Sequence, residues 1–96
     1  MKKIFVIGSS GHAKVVIDII EKEGKYEIVG LLSRDQAAGE FVYGYEILGK
    51  QEELSTLLKT RPAQGIFIAV GDNATRAKVA NFLEENLPQL EAENKE

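Results

Sequence analysis

The chain of 96 residues contains no cysteine. Disulfides, thiolate metal sites and a cysteine nucleophile are thereby excluded. A single histidine, His12, cannot build a histidine metal cluster. Lysines and arginines number 12 against 15 acids, a formal charge of −3, and they form no stripe, so no nucleic-acid partner is expected. No apolar stretch approaches the roughly 20 residues of a membrane span. No secretory segment follows Lys2 and Lys3 either, because the apolar run stops at Gly8 and helix-forming residues come next. These absences predict a soluble, cytoplasmic chain with no membrane partner. Repeats and low-complexity tracts are missing too, the hexapeptide period of a parallel β-helix among them. At this length one domain is the natural count.

What is present is concentrated near the start. Ile4, Phe5, Val6 and Ile7 form an unbroken apolar run with no polar side, the pattern of a parallel strand covered on both faces. Gly8, Ser9, Ser10 and Gly11 follow, small enough for a sharp turn and a close approach to a ligand, and a helical pattern starts at His12. The first N–H groups of such a helix lack intrahelical partners and carry about half a positive charge, which favours an anion, typically a phosphate. The spacing falls short of the dinucleotide fingerprint G-x-G-x-x-G, since Ser10 stands at the second glycine position and Ala13 at the third. A plain strand-to-helix turn capped by Ser9 or Ser10, with no ligand, is the competing reading.

Ala13, Val16, Ile17 and Ile20 recur at i, i+3, i+4 and i+7 and predict a helix from His12 to Glu23, ended by Gly24. Glu27 to Leu32 reads as a second strand, and strand, helix, strand is a right-handed crossover that sets the two strands parallel. Ser33 to Gly39 forms a loop at the carboxyl end of that strand, the edge where parallel sheets take ligands. Phe41 to Gly49, cut by Gly44 and Gly49, is expected to be a short extended segment against the sheet edge. A helix from Gln51 to about Lys59, Pro62, and a second buried strand from Gly65 to Val70 are expected next. That strand leads into Gly71, Asp72 and Asn73 and a helix from Ala74 to about Asn86, with Asn73 as N-cap. If the two most apolar strands are neighbours, the loops that follow them emerge side by side and open a crevice. The predicted fold class is α/β, a small Rossmann-like domain over residues 1–87 with a parallel β-sheet flanked by helices. After Pro88 the chain is almost without apolar residues, and 88–96 reads as a frayed polar tail or a linker.

Three stretches in this order, IFVIGSSGHAKVVIDII, GYEILG and FIAVGDNATR, resemble the N-terminal domain of the sugar acyltransferases related to sialic-acid O-acetyltransferase, the NeuD/PglD-like family. The likeness covers about residues 2–87. It implies a nucleotide-sugar-binding domain, with a UDP-sugar as partner, of a sugar N- or O-acetyltransferase in cell-surface polysaccharide biosynthesis, of sialic acid or bacillosamine type. It also implies that a left-handed β-helix absent from this chain carries the acetyl-CoA site and the catalytic base, and that full-length members form homotrimers through it. On this basis the chain by itself has no cofactor and no catalytic residue, and is inactive alone.

Carried over residue by residue, the family's glycine loop falls on Gly8, Ser9, Ser10, Gly11 and His12. Its second nucleotide loop falls on Val70, Gly71, Asp72, Asn73 and Arg76. After strand two the family has two consecutive acids, where this chain departs with Ser33 and Arg34, followed by Asp35. The Ser10 hydroxyl and the N–H groups from Gly11 onward suit a diphosphate, while backbone groups at Val70 and Gly71 and the Asn73 amide suit a base or ribose edge. His12 is expected as a ligand contact and not as a catalyst, because the family's catalytic histidine lies in the β-helix. Blander roles stand beside these: Asn73 as a helix cap only, Arg76 paired with acids of its own surface, and 33–35 as a solvated loop. Two other functions compete. One is an NADP-binding Rossmann domain of an oxidoreductase, where Ser33 and Arg34 would suit a 2′-phosphate but the second and third glycines are missing. The other is a regulatory module that senses a nucleotide without chemistry.

Overall fold

In a computed structural model, which describes residues 1–88 and the backbone of 91–94, Ile4 to Ile7 lie on β1 (Lys2–Ile7) and are buried throughout. The reason is visible in the alternation of a strand, which sends successive side chains to opposite faces. Ile4 and Val6 pack with Val16, Ile17 and Ile20 of α1 (Gly11–Glu23). Phe5 and Ile7 pack on the other face with Leu54 of α2 (Leu54–Thr60) and Val79 and Leu83 of α3 (Asn73–Asn86). Each such side chain contributes about 1.5–3 kcal/mol by leaving water, so a strand covered twice belongs at the centre of the sheet.

The remaining strands are β2 (Tyr26–Leu32), β3 (Phe41–Val42), β4 (Tyr45–Gly49), β5 (Gly65–Ile68) and β6 (Glu91–Asn94). Their order is β3-β4-β2-β1-β5-β6. β1 pairs in parallel with both β2 and β5, and β2 pairs in parallel with β4. The chain therefore moves outward from β1 to β2 and β4 on one side, then returns through α2 to β5 on the other. The order reverses between β1 and β5, which is where an open α/β sheet forms a crevice beyond its strand ends. The architecture is the α/β, Rossmann-like sheet flanked by helices that the sequence predicts. Among the described residues no helix is long and apolar enough to cross a membrane.

Four features differ from the sequence expectation. Phe41 to Gly49 is a hairpin: β3 pairs antiparallel with β4 through Tyr43 and Gly44, both at positive φ (53° and 86°), as a two-residue turn between twisted strands requires. The first turn of the helix expected from Gln51 is instead a 3₁₀ turn, Gln51–Glu53. β5 ends at Ile68, two residues early, and the Ala69 N–H donates to the Ile7 carbonyl at 2.8 Å. Finally, part of the expected frayed tail is β6, which extends the sheet by pairing in parallel with β5. An edge strand is held by main-chain hydrogen bonds, so Glu91–Asn94 needs no apolar side chain to join. Residues 89–90 and 95–96 of that tail lie outside the described residues.

Candidate functional site

The loop after β1 is shaped at Gly8. Its N–H donates to the Leu32 carbonyl at 2.8 Å, its φ is +127°, and a Cβ there would stand 2.4 Å from the Ala69 carbonyl oxygen. Only glycine lets the chain pass this close to the end of β5. Ser9 and Ser10 follow, and Ser10 is the N-cap of α1 with an extended backbone and no side-chain cap bond. Its carbonyl accepts from Ala13 and Lys14, so the N–H groups of Gly11 and His12 precede the first intrahelical bonds. This helix start is open to an anion.

The facing helix start is closed. Asp72, not Asn73, is the N-cap of α3, because its carboxylate accepts from both the N–H and the hydroxyl of Thr75 at 2.7 Å. Those two bonds, with smaller contributions from the charges of Lys78 and Arg34, hold the Asp72 carboxyl below its ordinary value. Two helices thus point their N-termini toward one crevice, and only α1 leaves its positive end for a ligand.

Between them lies a cleft of about 570 Å³. Gly8, Ser9, Ser10 and His12 form one wall, Val70, Gly71 and Asp72 a second, and Ser33, Arg34 and Asp35 a third. Ile7, Leu32 and Ala69 make an apolar floor. The imidazole of His12 is packed against the second loop: a Cβ on Gly71 would lie 3.6 Å from its Cβ and Cγ. His12 Nε2 is buried and has no hydrogen-bond partner among the described residues. Ser33 is only 7% exposed and bonds to Ser9 hydroxyl to hydroxyl at 2.8 Å.

Three of the expected site residues do not line the cleft. Gly11 is the first residue of α1, a Cβ there would meet nothing within 4 Å, and its part in the site is confined to its backbone N–H. Asn73 yields the cap position to Asp72 and begins the helix proper. Arg76 turns back on its own loop, its Nε donating to the Val70 carbonyl at 3.0 Å, so it braces the second loop and is not a cleft residue. Sequence reasoning missed Gln51, Glu52, Thr75 and Lys78, which do line it. Thr75 had a signal, since an acid three residues ahead of a Thr at a helix start is a capping spacing. Lys78 follows one turn later on the same helix. Nothing local marks Gln51 and Glu52. Among the described residues, no group of three or more His, Cys, Asp or Glu is placed to hold a metal ion.

Residues 3–83 match the PglD N-terminal domain. The chain belongs to that family. Among solved structures, the chain resembles perosamine N-acetyltransferase from Caulobacter crescentus, solved in complex with CoA and GDP-perosamine. That likeness has a TM-score of 0.73 at 28% identity and covers 88% of this chain and 39% of the other. It also resembles the acetyltransferase domain of PglB from Neisseria gonorrhoeae, solved with acetyl coenzyme A, with a TM-score of 0.62, 28% identity, and 88% and 39% of the two chains covered. An uncharacterised protein of Acanthamoeba polyphaga mimivirus is 36% identical over 77 residues, 80% of this chain and 14% of that protein. The chain thus spans under half the length of these relatives.

Proposed function

We propose that the cleft holds a nucleotide-activated sugar, and that the chain serves as the substrate-binding domain of a sugar acetyltransferase. One observation carries the reading: at the point where strand order reverses, the start of α1 is left without a side-chain cap while the start of α3 is capped by Asp72. The diphosphate is assigned to the open end, at Ser9, Ser10 and the N–H groups that follow. The nucleoside then extends over the apolar floor toward Arg34 and Asp35. The polar side chains of Gln51 and Glu52 stand where they can read a base edge. The solved relatives that bind CoA and GDP-perosamine favour a sugar nucleotide over a nicotinamide cofactor. Both GDP- and UDP-sugars fit this chemistry.

The residues of this chain bind and orient; transfer is assigned to the part of the longer relatives that it does not span, together with acetyl-CoA. Acyl transfer needs a base within about 3 Å of the acceptor. His12 is the only histidine and its Nε2 is enclosed between the two loops. Calorimetric titration of the chain with GDP-sugars, UDP-sugars and NADPH tests the reading. Saturable binding of a sugar nucleotide, without CoA release when acetyl-CoA is added, is the expected result. Binding of NADPH with no response to either sugar nucleotide would overturn it.

A further inference from the structure

Among the described residues Ser33 is the buried polar side chain, and its hydrogen bonds can be counted. A serine hydroxyl has one proton and two acceptor positions. The N–H groups of Asp35 and Gln36 approach Ser33 Oγ at 3.2 and 3.1 Å and fill both acceptor positions. The proton of Ser33 is then the one shared with Ser9, and Ser9 Oγ is the acceptor of that 2.8 Å bond. Ser9 keeps its own proton, and Ser9 lines the cleft beside the open start of α1.

Resting on the proposed site, we infer that Ser33 is a positioning residue that fixes Ser9 as a hydrogen-bond donor to a phosphoryl oxygen of the bound nucleotide. All donors in the relay run one way, from the two backbone N–H groups through Ser33 to Ser9 and out into the cleft. Each bond polarises the next, so the terminal O–H is a stronger donor than an isolated serine. An outward donor beside a helix N-terminus favours an anionic acceptor. Ser33 lines the cleft wall, but its hydroxyl is fully engaged within the protein and has no hydrogen bond left for the ligand. It acts through Ser9, and it ties the loop after β2 to the loop after β1.

A double-mutant cycle on the 96-residue chain, titrated with GDP and UDP, tests the inference. Ser9→Ala, which removes the donor, is expected to weaken nucleotide binding about tenfold, Ser33→Ala, which leaves that donor unpositioned, to weaken it by up to as much, and the double variant no further than Ser9→Ala, because Ser33 acts only through Ser9. Ser33→Thr, which keeps the hydroxyl, is expected to bind within about twofold of the wild type. If Ser33 only stiffens its loop, the two losses multiply, and the relay is overturned. Should Ser33→Ala fail to fold, Ser9→Ala decides alone: undiminished affinity in that variant overturns the inference. A wild-type chain that binds neither nucleotide overturns the reading of the site itself, and this inference with it.

Discussion

At Gly8 the absence of a side chain decides whether the site can exist. A methyl group there would meet the Ala69 carbonyl oxygen, and the backbone sits at a positive φ that other residues adopt only under strain. Gly8→Ala is therefore expected to lower the free energy of unfolding by at least about 1–3 kcal/mol, read from urea denaturation. Gly11 offers the contrast within the same loop. Its φ is ordinary and the space around it is open. Gly11→Ala is expected to leave stability unchanged or to raise it by up to ~1 kcal/mol, since alanine is the better helix former. Equal effects at the two positions would mean that the loop is not held as described. The glycine spacing marked both residues alike; only the approach of β5 tells them apart, and that approach depends on which strand lies beside β1.

The elements that were legible in the sequence are those whose burial is written into consecutive residues. Ile4 to Ile7 and Gly65 to Val70 read as strands because apolar groups face two helix layers, though the second ends at Ile68, and α1 read as a helix because its apolar stripe has the helical period. The hairpin did not, because β3 is two residues long and a tyrosine occupies a left-handed turn position that usually calls for Asn or Gly. Tyr43 has a tertiary reason to stand there, as its hydroxyl donates to the Ser10 carbonyl at 3.3 Å. Tyr45 tethers the same hairpin to α1, its hydroxyl donating to the Glu21 carboxylate. Burial, and then that bond and the charge of Glu21, push the Tyr45 phenol from 10.0 up to about 12. Below pH 10 both folded and unfolded chains keep this proton and the tether is intact; between pH 10 and 12 the unfolded chain releases it first, so stability falls. The denaturation midpoint of Tyr45→Phe should consequently decline less over that window than the wild-type midpoint. Parallel declines would show that the tether contributes nothing.

Across the whole molecule, the parts of the site that could be read in advance are those next to a strand end in sequence. Ser9, Ser10, Val70 and Gly71 each follow a strand directly, so a parallel sheet with β1 beside β5 brings them together. Gln51 and Glu52 reach the cleft only because β4 pairs with β2 and ends beside it, a placement that no local pattern states. Arg76 and Asn73 entered the expected site with the second nucleotide loop of the family the sequence resembles, whereas here the Val70 carbonyl accepts from the Arg76 side chain and Asp72 takes the cap. The same topology puts the loops at Gly24 and Gln64 at the opposite end of the sheet, where the Gln64 N–H meets the Lys3 carbonyl. The central claim is that a sugar nucleotide enters at the carboxyl end, with its diphosphate at the start of α1. The most direct measurement is a map of amide nitrogen and proton shifts as a GDP-sugar and a UDP-sugar are added in turn to the labelled chain. The account predicts that the shifts of the nucleotide that binds concentrate on Gly8 to His12, on Ser33 to Asp35 and on Val70 to Asp72. Shifts confined to the opposite end, around Gly24 and Gln64, or none at saturating concentrations of both compounds, would contradict it.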